Sequence, residues 1–116
     1  MTDRPTRAGR RSASAGLALC FAAGIAAGAA SAAQTTVTQK DRAFSAQRVE
    51  LQAGDALLIH NEDTRAHNIQ INHPNLTYNS GLQEPGEDAR VVFAEAGDYL
   101  VFCGIHPKMK LRVSVR

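Results

Sequence analysis

Three side chains able to bind a metal are spaced three residues apart near the end of the chain. Cys103, His106 and Met109 place a thiol, an imidazole and a thioether within seven residues. Apolar residues alternate with polar ones on both sides, which predicts a strand, a short loop and a second strand. The apolar positions are Tyr99, Val101 and Cys103 before the loop and Met109, Leu111, Val113 and Val115 after it, with Lys110, Arg112 and Ser114 between the latter. The candidate ligands therefore lie on a loop at the end of a predicted sheet.

Sulfur and imidazole donors together suit copper. Cu(I) prefers soft sulfur whereas Cu(II) prefers nitrogen, so two imidazoles, a thiolate and a weak axial thioether suit both oxidation states. The sequence therefore predicts a copper site that uses Cys103, His106 and Met109 with one further histidine. Two other interpretations are weaker. Cys and Met are often buried core residues, and a Cys–His pair can serve as nucleophile and base, but a catalytic pair is not usually placed three residues apart in one short turn.

Three other histidines are candidates for the second imidazole. His67 opens an alternating segment after a polar loop, where it can meet the Cys103 loop at one end of a sheet. His73 lies six residues further along, about 20 Å away at about 3.3 Å per residue, so it cannot share a metal with His67. His60 ends the preceding strand and is expected to be a surface or hydrogen-bonding residue. Asn68 follows His67, and its side-chain amide is expected to tie the two loops together.

Residues 1–33 have the composition of an export signal. Four arginines and one aspartate precede an uncharged Ala, Gly and Leu run over residues 15–30, and small residues follow it. A basic start, a short apolar segment and an A-x-A-like cleavage site are typical of a cleaved signal. The run is too short and too rich in Gly and Ala for a stable membrane anchor. The pair Arg10-Arg11 leaves twin-arginine export open. The mature protein is expected in the periplasm.

Residues 34–116 are expected to form one small domain. The whole chain has 13 Lys and Arg against 11 Asp and Glu, and without the signal nine and ten of these remain. A net charge of about −1 gives no reason to expect nucleic acid as a partner. Cys103 is then the one remaining cysteine, and an unpaired cysteine in an oxidising compartment is explained by metal ligation. A bound metal would also stabilise so small a domain.

The predicted domain reads as short strands with no helical period. Candidate strands occupy residues 35–38, 48–51, 56–60, 67–72 and 90–93, followed by the two that flank the ligand loop. Six or seven short strands separated by turn residues predict an all-β sandwich or barrel. Residues 73–89 contain Pro, Gly and Asn and are expected to form a long connection.

Several motifs resemble those of the blue-copper cupredoxins, most closely the small plastocyanins, pseudoazurins and amicyanins. They span most of residues 34–116, and the three-residue step from His106 to Met109 is similar to that of amicyanin. Ala66 stands where many relatives have Pro, and no Trp lies in the strand before Asn61. The matching motifs are Ala53-Gly54-Asp55 leading to Asn61, His67-Asn68, Pro85-Gly86-Glu87, Val91-x-Phe93 and Gly97-x-Tyr99-x-Val101-x-Cys103-x₂-His106-x₂-Met109.

This resemblance implies a Greek-key β-sandwich with one type-1 copper per chain, held by His67, Cys103, His106 and axial Met109. It also implies one-electron transfer in the periplasm with a redox protein as a transient partner. Cupredoxins commonly pass electrons through the histidine that matches His106.

The residues around His106 predict where such a partner docks. Ile105 and Pro107 flank this histidine, so its ring edge is expected to reach the surface within a small apolar rim, and Lys108 adds a positive charge at the border. A small apolar contact with a charged rim suits weak, transient docking.

Two other functions were compared with electron transfer. A copper oxidase or reductase needs further histidines next to the cysteine to connect a second copper centre, but Phe102 and Gly104 flank Cys103. The prediction is therefore that the chain is not an enzyme. A copper carrier or sensor without a dedicated electron-transfer role stays open as the alternative.

Overall fold

The computed structural model describes residues 31–116, so all but the last three residues of the predicted export signal lie outside the described residues. Within residues 31–116 the chain forms nine β-strands and no helix. The strands are β1 (Gln34–Lys40), β2 (Ala43–Phe44), β3 (Arg48–Leu51), β4 (Ala56–Asn61), β5 (Ile69–His73), β6 (Leu76–Asn79), β7 (Asp88–Val92), β8 (Gly97–Cys103) and β9 (Lys110–Val115).

These strands form two sheets. The first has the order β2-β1-β4-β7 and the second the order β3-β9-β8-β5-β6. Paired strands are antiparallel except for β1 with β4 and β3 with β9, which are parallel. Side chains from both sheets form one buried apolar cluster, including Leu57 and Ile59 from the first sheet and Val101 and Leu111 from the second. The fold is thus a β-sandwich, which confirms the all-β class predicted from the sequence.

β8 and β9 follow the alternation seen in the sequence. All the apolar positions of that pattern, from Tyr99 to Val115, are buried. Ser114, one of the polar residues between them, is buried too. Arg48 of the neighbouring β3 lies over it and donates a hydrogen bond from its guanidinium to Ser114 Oγ at 3.2 Å. A long cationic side chain on one strand thereby covers a small polar one on the next.

Residues 73–89 contain a strand that their composition did not predict. β6 pairs antiparallel with β5 across a tight turn, with His73 opposite Leu76 and Ile71 opposite Tyr78. Its Leu and Tyr are half-buried while its Thr and Asn are exposed. Pairing with β5, rather than a strong local pattern, makes this segment a strand.

Strand pairing brings several loops to one end of the sandwich. β1 and β4 run in parallel with Gln39 opposite Asn61, so the turn after β1 and the loop after β4 lie at the same end. In the second sheet Ile69, the first residue of β5, lies opposite Cys103, the last residue of β8. The residues just before β5 therefore meet the loop that follows β8, as a site shared between these two segments requires.

Candidate metal centre

The loop between β8 and β9 is closed by its own backbone. Cys103 is fully buried at the end of β8, and its N–H donates to the carbonyl of Met109 at 3.2 Å. The N–H of Met109 donates in turn to the carbonyl of His106 at 2.9 Å. The three predicted ligands of this loop are thus held on a short segment with little freedom to rearrange.

The structure brings together the donor atoms of His67, Cys103 and His106. His67 Nδ1 lies 3.2 Å from His106 Nδ1 and 3.6 Å from Cys103 Sγ, and the third side of the triangle, from Cys103 Sγ to His106 Nδ1, measures 3.9 Å. The point equidistant from these atoms is about 2.1 Å from each, a length typical of metal–imidazole bonds and slightly shorter than a zinc–thiolate bond. The triangle is therefore the right size for one metal ion.

Met109 lies beside this triangle. Its side chain is 2% exposed, and it lines a surface hollow together with His106. The part of its thioether as an axial ligand stays a prediction. Two imidazoles and a thiol with a thioether nearby form a donor set that suits copper better than the harder metals.

His67 is oriented by contacts that do not need a metal. Its side chain is fully buried, and its backbone exchanges two hydrogen bonds with Gln83, at 2.9 and 2.7 Å. Its Nε2 lies 3.0 Å from Oδ2 of Asp63. Because an ionised carboxylate only accepts hydrogen bonds, the imidazole proton belongs on Nε2. The lone pair of Nδ1 then faces the centre of the triangle, as a metal ligand requires.

Asp63 is the functional residue that the sequence did not reveal. It is 5% exposed, and it accepts hydrogen bonds from the backbone N–H groups of Arg42 and Thr64 at 2.9 and 2.8 Å. The guanidinium of Arg65 lies 3.3 Å from the same carboxylate. Burial raises the pKa of Asp63, but the hydrogen bonds from Arg42, His67 and Thr64 outweigh burial and hold this pKa well below its ordinary value of 3.8. Asp63 is therefore a buried anion that fixes the ring of His67.

Only a weak cue to Asp63 exists in the sequence, namely an acidic residue four positions before the histidine. That spacing would bring the two side chains together on a helix, but these residues lie in a loop. The contact depends on the path of the loop, which is set by Asn61. The Asn61 side chain donates to the carbonyls of Arg65 and Gln83 at 2.9 and 3.1 Å and accepts from the Asp63 N–H at 2.8 Å.

Asn68 connects the two ligand-bearing segments through its backbone. Its N–H donates toward Cys103 Sγ at 3.4 Å, and its carbonyl accepts from the N–H of Gly104 at 2.8 Å. Its side-chain amide donates instead to Asn79 Oδ1 and the Gly81 carbonyl, at 2.7 and 2.9 Å. The tie expected from the side chain is thus made by the main chain.

Gly104 occupies a position where a side chain does not fit. A Cβ built on it would overlap the amide ends of Gln70 and Asn68. Those two amides contact each other, with Gln70 donating to Asn68. A larger residue after Cys103 would therefore have to displace these two side chains, which pack where the ligand loop meets the segment that carries His67.

The other two histidines of residues 31–116 are engaged away from the triangle. His60 Nδ1 lies 2.6 Å from Asp88 Oδ1, on the neighbouring strand β7. His73 accepts a hydrogen bond from the N–H of Asn75 at 3.0 Å, and its ring centroid lies 4.2 Å from that of Tyr99. Both have the hydrogen-bonding and packing roles expected of histidines that are not ligands.

His106 is the most exposed member of the triangle. It is partly exposed, whereas His67 and Cys103 are fully buried. Ile105 beside it is 47% exposed, and Pro107 on its other side is exposed as well. The edge of the site therefore reaches the surface through His106 within an apolar rim, as the sequence predicts.

The surroundings of His106 are positively charged. Burial is the largest cause that lowers the pKa of His106, and the positive charges of Arg42 and Arg65 add to it, while the negative charge of Asp63 opposes them. The ring is thereby favoured in its neutral form, which is the form that can bind a metal.

A sequence model of the cupredoxin-like domain matches residues 13–115 of the chain. The chain belongs to the cupredoxin-like family. In a chain of this family, the His-Cys-His triangle with Met109 nearby is a cluster that could hold one copper ion. Family membership and the donor set confirm copper as the cofactor predicted from the sequence.

Solved structures of related proteins share this fold. A reduced amicyanin variant matches with a TM-score of 0.67 at 23% identity, over 78% of this cupredoxin and 89% of the amicyanin. A purple cupredoxin from Nitrosopumilus maritimus matches with a TM-score of 0.63 at 24% identity, over 70% and 98% of the two chains. A copper-containing nitrite reductase from Thermus scotoductus SA-01 matches with a TM-score of 0.66 at 23% identity, over 72% of this cupredoxin but only 22% of the reductase. These matches establish the fold.

Residues 31–116 of this cupredoxin include no helix that is both long enough and apolar enough to cross a membrane.

Proposed function

We propose that this cupredoxin is a periplasmic one-electron carrier whose single type-1 copper is held by His67, Cys103, His106 and Met109. The observation that carries the proposal is the triangle of donor atoms with sides of 3.2, 3.6 and 3.9 Å. When bound there, copper supplies a one-electron couple between Cu(I) and Cu(II). The residues that would hold it are fixed by burial and hydrogen bonds, so they would move little when copper changes oxidation state, which would keep the cost of electron transfer low.

Rigidity of the site supports electron transfer over copper delivery. Asp63 and Gln83 hold His67 in place, and the backbone of Asn68 holds the loop that carries Cys103. Because His67 and Cys103 are fully buried, a delivery partner could not reach them by ligand exchange without opening the site. A copper carrier or sensor is therefore the weaker candidate.

Electron carriage is also preferred over catalysis. Among residues 31–116, the one group of three His, Cys, Asp or Glu donors close enough to share a metal is the triangle itself. The similarity to a copper-containing nitrite reductase spans about a fifth of that enzyme. Residues 31–116 contain no second group of three such donors that could form a further metal centre.

The route of the electron follows from exposure. His106 is the triangle residue that reaches the surface, so we place electron exit at its ring edge, with the partner docking on Ile105 and Pro107. Lys108, also exposed, borders this contact with positive charge. The export signal predicted in residues 1–33 supports the periplasm as the compartment, where a buried thiol bound to metal is protected from oxidation.

Spectroscopy of the copper-loaded protein recovered from the periplasm of an expressing host tests this proposal. We expect an intense thiolate-to-copper absorption in the visible range that disappears in Cys103→Ser, together with reversible one-electron reduction. Retention of this absorption in Cys103→Ser would contradict the ligand assignment. Recovery of the chain only from the cytoplasm, with residues 1–33 still attached, would contradict the compartment.

A further inference from the structure

A surface hollow lies beside His106, between the turn that follows β1 and the loop that follows β8. Asp41 and Arg42 form one wall, and the segment from Ile105 to Met109 forms the other. Its volume is about 500 Å³, which is ample for one or two side chains of another protein. We call this feature the basic hollow, for the charges described next.

Cations outnumber anions in the basic hollow. Arg42 and Lys108 line it against one carboxylate, that of Asp41. Neither cation forms an ion pair with any residue from 31 to 116. The same residues without the predicted signal carry nine Lys and Arg against ten Asp and Glu. The positive charge beside His106 is therefore local and opposite in sign to the net charge of the domain.

The turn that presents Arg42 has an unusual backbone. Lys40 pairs with Ala43 across it, so it is a two-residue hairpin turn. Both of its residues lie in the left-handed region, with φ of 51° for Asp41 and 59° for Arg42. Hairpin turns of this shape usually contain Asn-Gly or Asp-Gly, because a Cβ is disfavoured at positive φ, glycine has none, and Asn and Asp tolerate this conformation best. Arg42 thus stands where glycine would be less strained.

The strained turn is held in place at the metal site. The backbone N–H of Arg42 donates to Asp63 Oδ2 at 2.9 Å, and the same oxygen lies 3.0 Å from His67 Nε2. This contact fixes the turn relative to the ligands and leaves the Arg42 side chain free to line the hollow. Backbone strain that surrounding contacts maintain is a recurrent property of functional sites.

We propose that the basic hollow receives a carboxylate side chain of the protein with which His106 exchanges electrons, and that Arg42 is the residue that recognises this carboxylate. This inference rests on the proposed function and adds the chemistry of the partner, whose docking face must be acidic. A guanidinium fits a carboxylate through two parallel hydrogen bonds, which gives orientation as well as attraction. The exposed Ile105 supplies the apolar part of the contact.

Binding is tested first without electron transfer. The Cu(I) protein is titrated with acetyl-tetraglutamate amide while its backbone amide NMR signals are followed, and acetyl-tetraglutamine amide serves as the uncharged control peptide. We expect the glutamate peptide to shift the signals of Arg42, Ile105 and Lys108, and the glutamine peptide to leave them in place. Equal responses to both peptides, or shifts centred elsewhere, would overturn the inference whatever the outcome for electron transfer.

Two substitutions of Arg42 distinguish the effect of its charge on peptide binding from the effect of the planar guanidinium. Arg42→Asn removes the charge with a residue that tolerates positive φ, and Arg42→Lys keeps the charge without the planar fork. We expect glutamate-peptide affinity to fall with Arg42→Lys and to fall further with Arg42→Asn. Arg116→Gln is the matched control, since this exposed arginine lies after β9, about 20 Å along the strand from Met109. An Arg116→Gln effect as large as that of Arg42→Asn would show a response to net charge alone.

Electron exchange provides the second test. One electron passes from Cu(I) to either of two oxidants, the anion ferricyanide, which becomes ferrocyanide, or the cation tris(phenanthroline)cobalt(III), which becomes the cobalt(II) complex. If both oxidants accept the electron near Arg42, added salt should lower the rate with the anion and raise the rate with the cation. A response to the net negative charge of the domain would have the opposite signs. At a contact distance of about 10 Å, Arg42→Asn should slow ferricyanide about fivefold at about 10 mM ionic strength and about twofold at about 150 mM.

The two failures can be told apart. A Cu(I) protein that neither oxidant converts to Cu(II) would refute electron carriage. The proposed function would stand if both oxidants convert the protein to Cu(II). The proposal for the basic hollow would be refuted if the rate with ferricyanide then rises with salt and is the same in Arg42→Asn.

Discussion

Replacing Asp63 with Asn tests how far one buried carboxylate controls the copper site. Asn is close to Asp in size, so Asp63→Asn removes the charge beside His67 with little change in packing. A negative charge near the site favours Cu(II) over Cu(I), because it attracts the ion of higher charge more strongly. The Asp63 carboxylate contacts Nε2 of His67, and the other ring nitrogen, Nδ1, faces the triangle. Removal of the carboxylate charge should therefore raise the reduction potential.

The size of the effect follows from the distances. The carboxylate oxygen is 3.0 Å from His67 Nε2. Adding the width of the ring and the length of a bond to the metal puts this oxygen about 7 Å from the metal position. Two unit charges at that distance interact with about 2.4 kcal/mol at an effective dielectric constant of about 20. This energy corresponds to about 100 mV for one electron, since tenfold in an equilibrium constant is about 59 mV. Arg65, with its guanidinium 3.3 Å from the same carboxylate, offsets part of the charge, so we expect a rise of about 50–100 mV.

Spectroelectrochemical titration of the two proteins measures this shift directly. Glu62→Gln is the matched control, because Glu62 is the adjacent residue and exposed, so loss of its charge should change the potential by less than about 20 mV in solvent. A potential that falls in Asp63→Asn, or that shifts equally in both variants, would refute the argument that Asp63 acts through His67.

Four other outcomes are expected. In the folded protein the pKa of Asp63 lies below its ordinary value of 3.8, so as pH falls the unfolded state binds a proton before the folded state does. Metal-free protein should therefore lose stability below about pH 4. Chemical unfolding measured at several pH values should show a smaller loss for Asp63→Asn than for the unchanged protein. His67→Ala should abolish the visible absorption while His60→Ala preserves it, and loss of colour in both would mean that the latter disturbs the fold. Met109→Leu should retain copper and raise the potential, whereas Met109→Gln should lower it, and unchanged potentials would make Met109 a core residue. Gly104→Ala should weaken copper binding and destabilise the fold by about 1–3 kcal/mol, because its Cβ overlaps two side-chain amide groups. Copper titration and thermal unfolding measure the two effects. Wild-type values in both would show that the amide groups move aside without cost.

The features that the sequence predicts well are those encoded within a few residues. Alternation around the Cys103 loop defines β8 and β9, and the even spacing from Cys103 to Met109 places three candidate ligands on one loop. The choice of His67 over His60 and His73 used the position of each relative to the strand ends and the asparagine, Asn68, that follows His67. These patterns are local, so a single sequence contains them.

The features that the sequence did not predict depend on contacts between distant segments. β6 is a strand because β5 pairs with it, and its four residues have no strong pattern of their own. Asp63 orients His67 because Asn61 and the Arg42 turn shape the loop around it. The turn itself lacks the glycine that normally identifies it in a sequence. In each case the local structure depends on contacts with residues from another segment of the chain.

Lys110–Val115 forms β9, which lies between β3 and β8 although it follows every other strand of residues 31–116. During synthesis its two neighbours emerge first, so the second sheet cannot close until this segment has left the ribosome. A chain halted after Cys103 would contain His67 and the thiol but neither Met109 nor the strand that aligns the loop. We therefore expect copper to bind in the proposed coordination only after β9 has been synthesised, so that metallation follows translation of the whole second sheet.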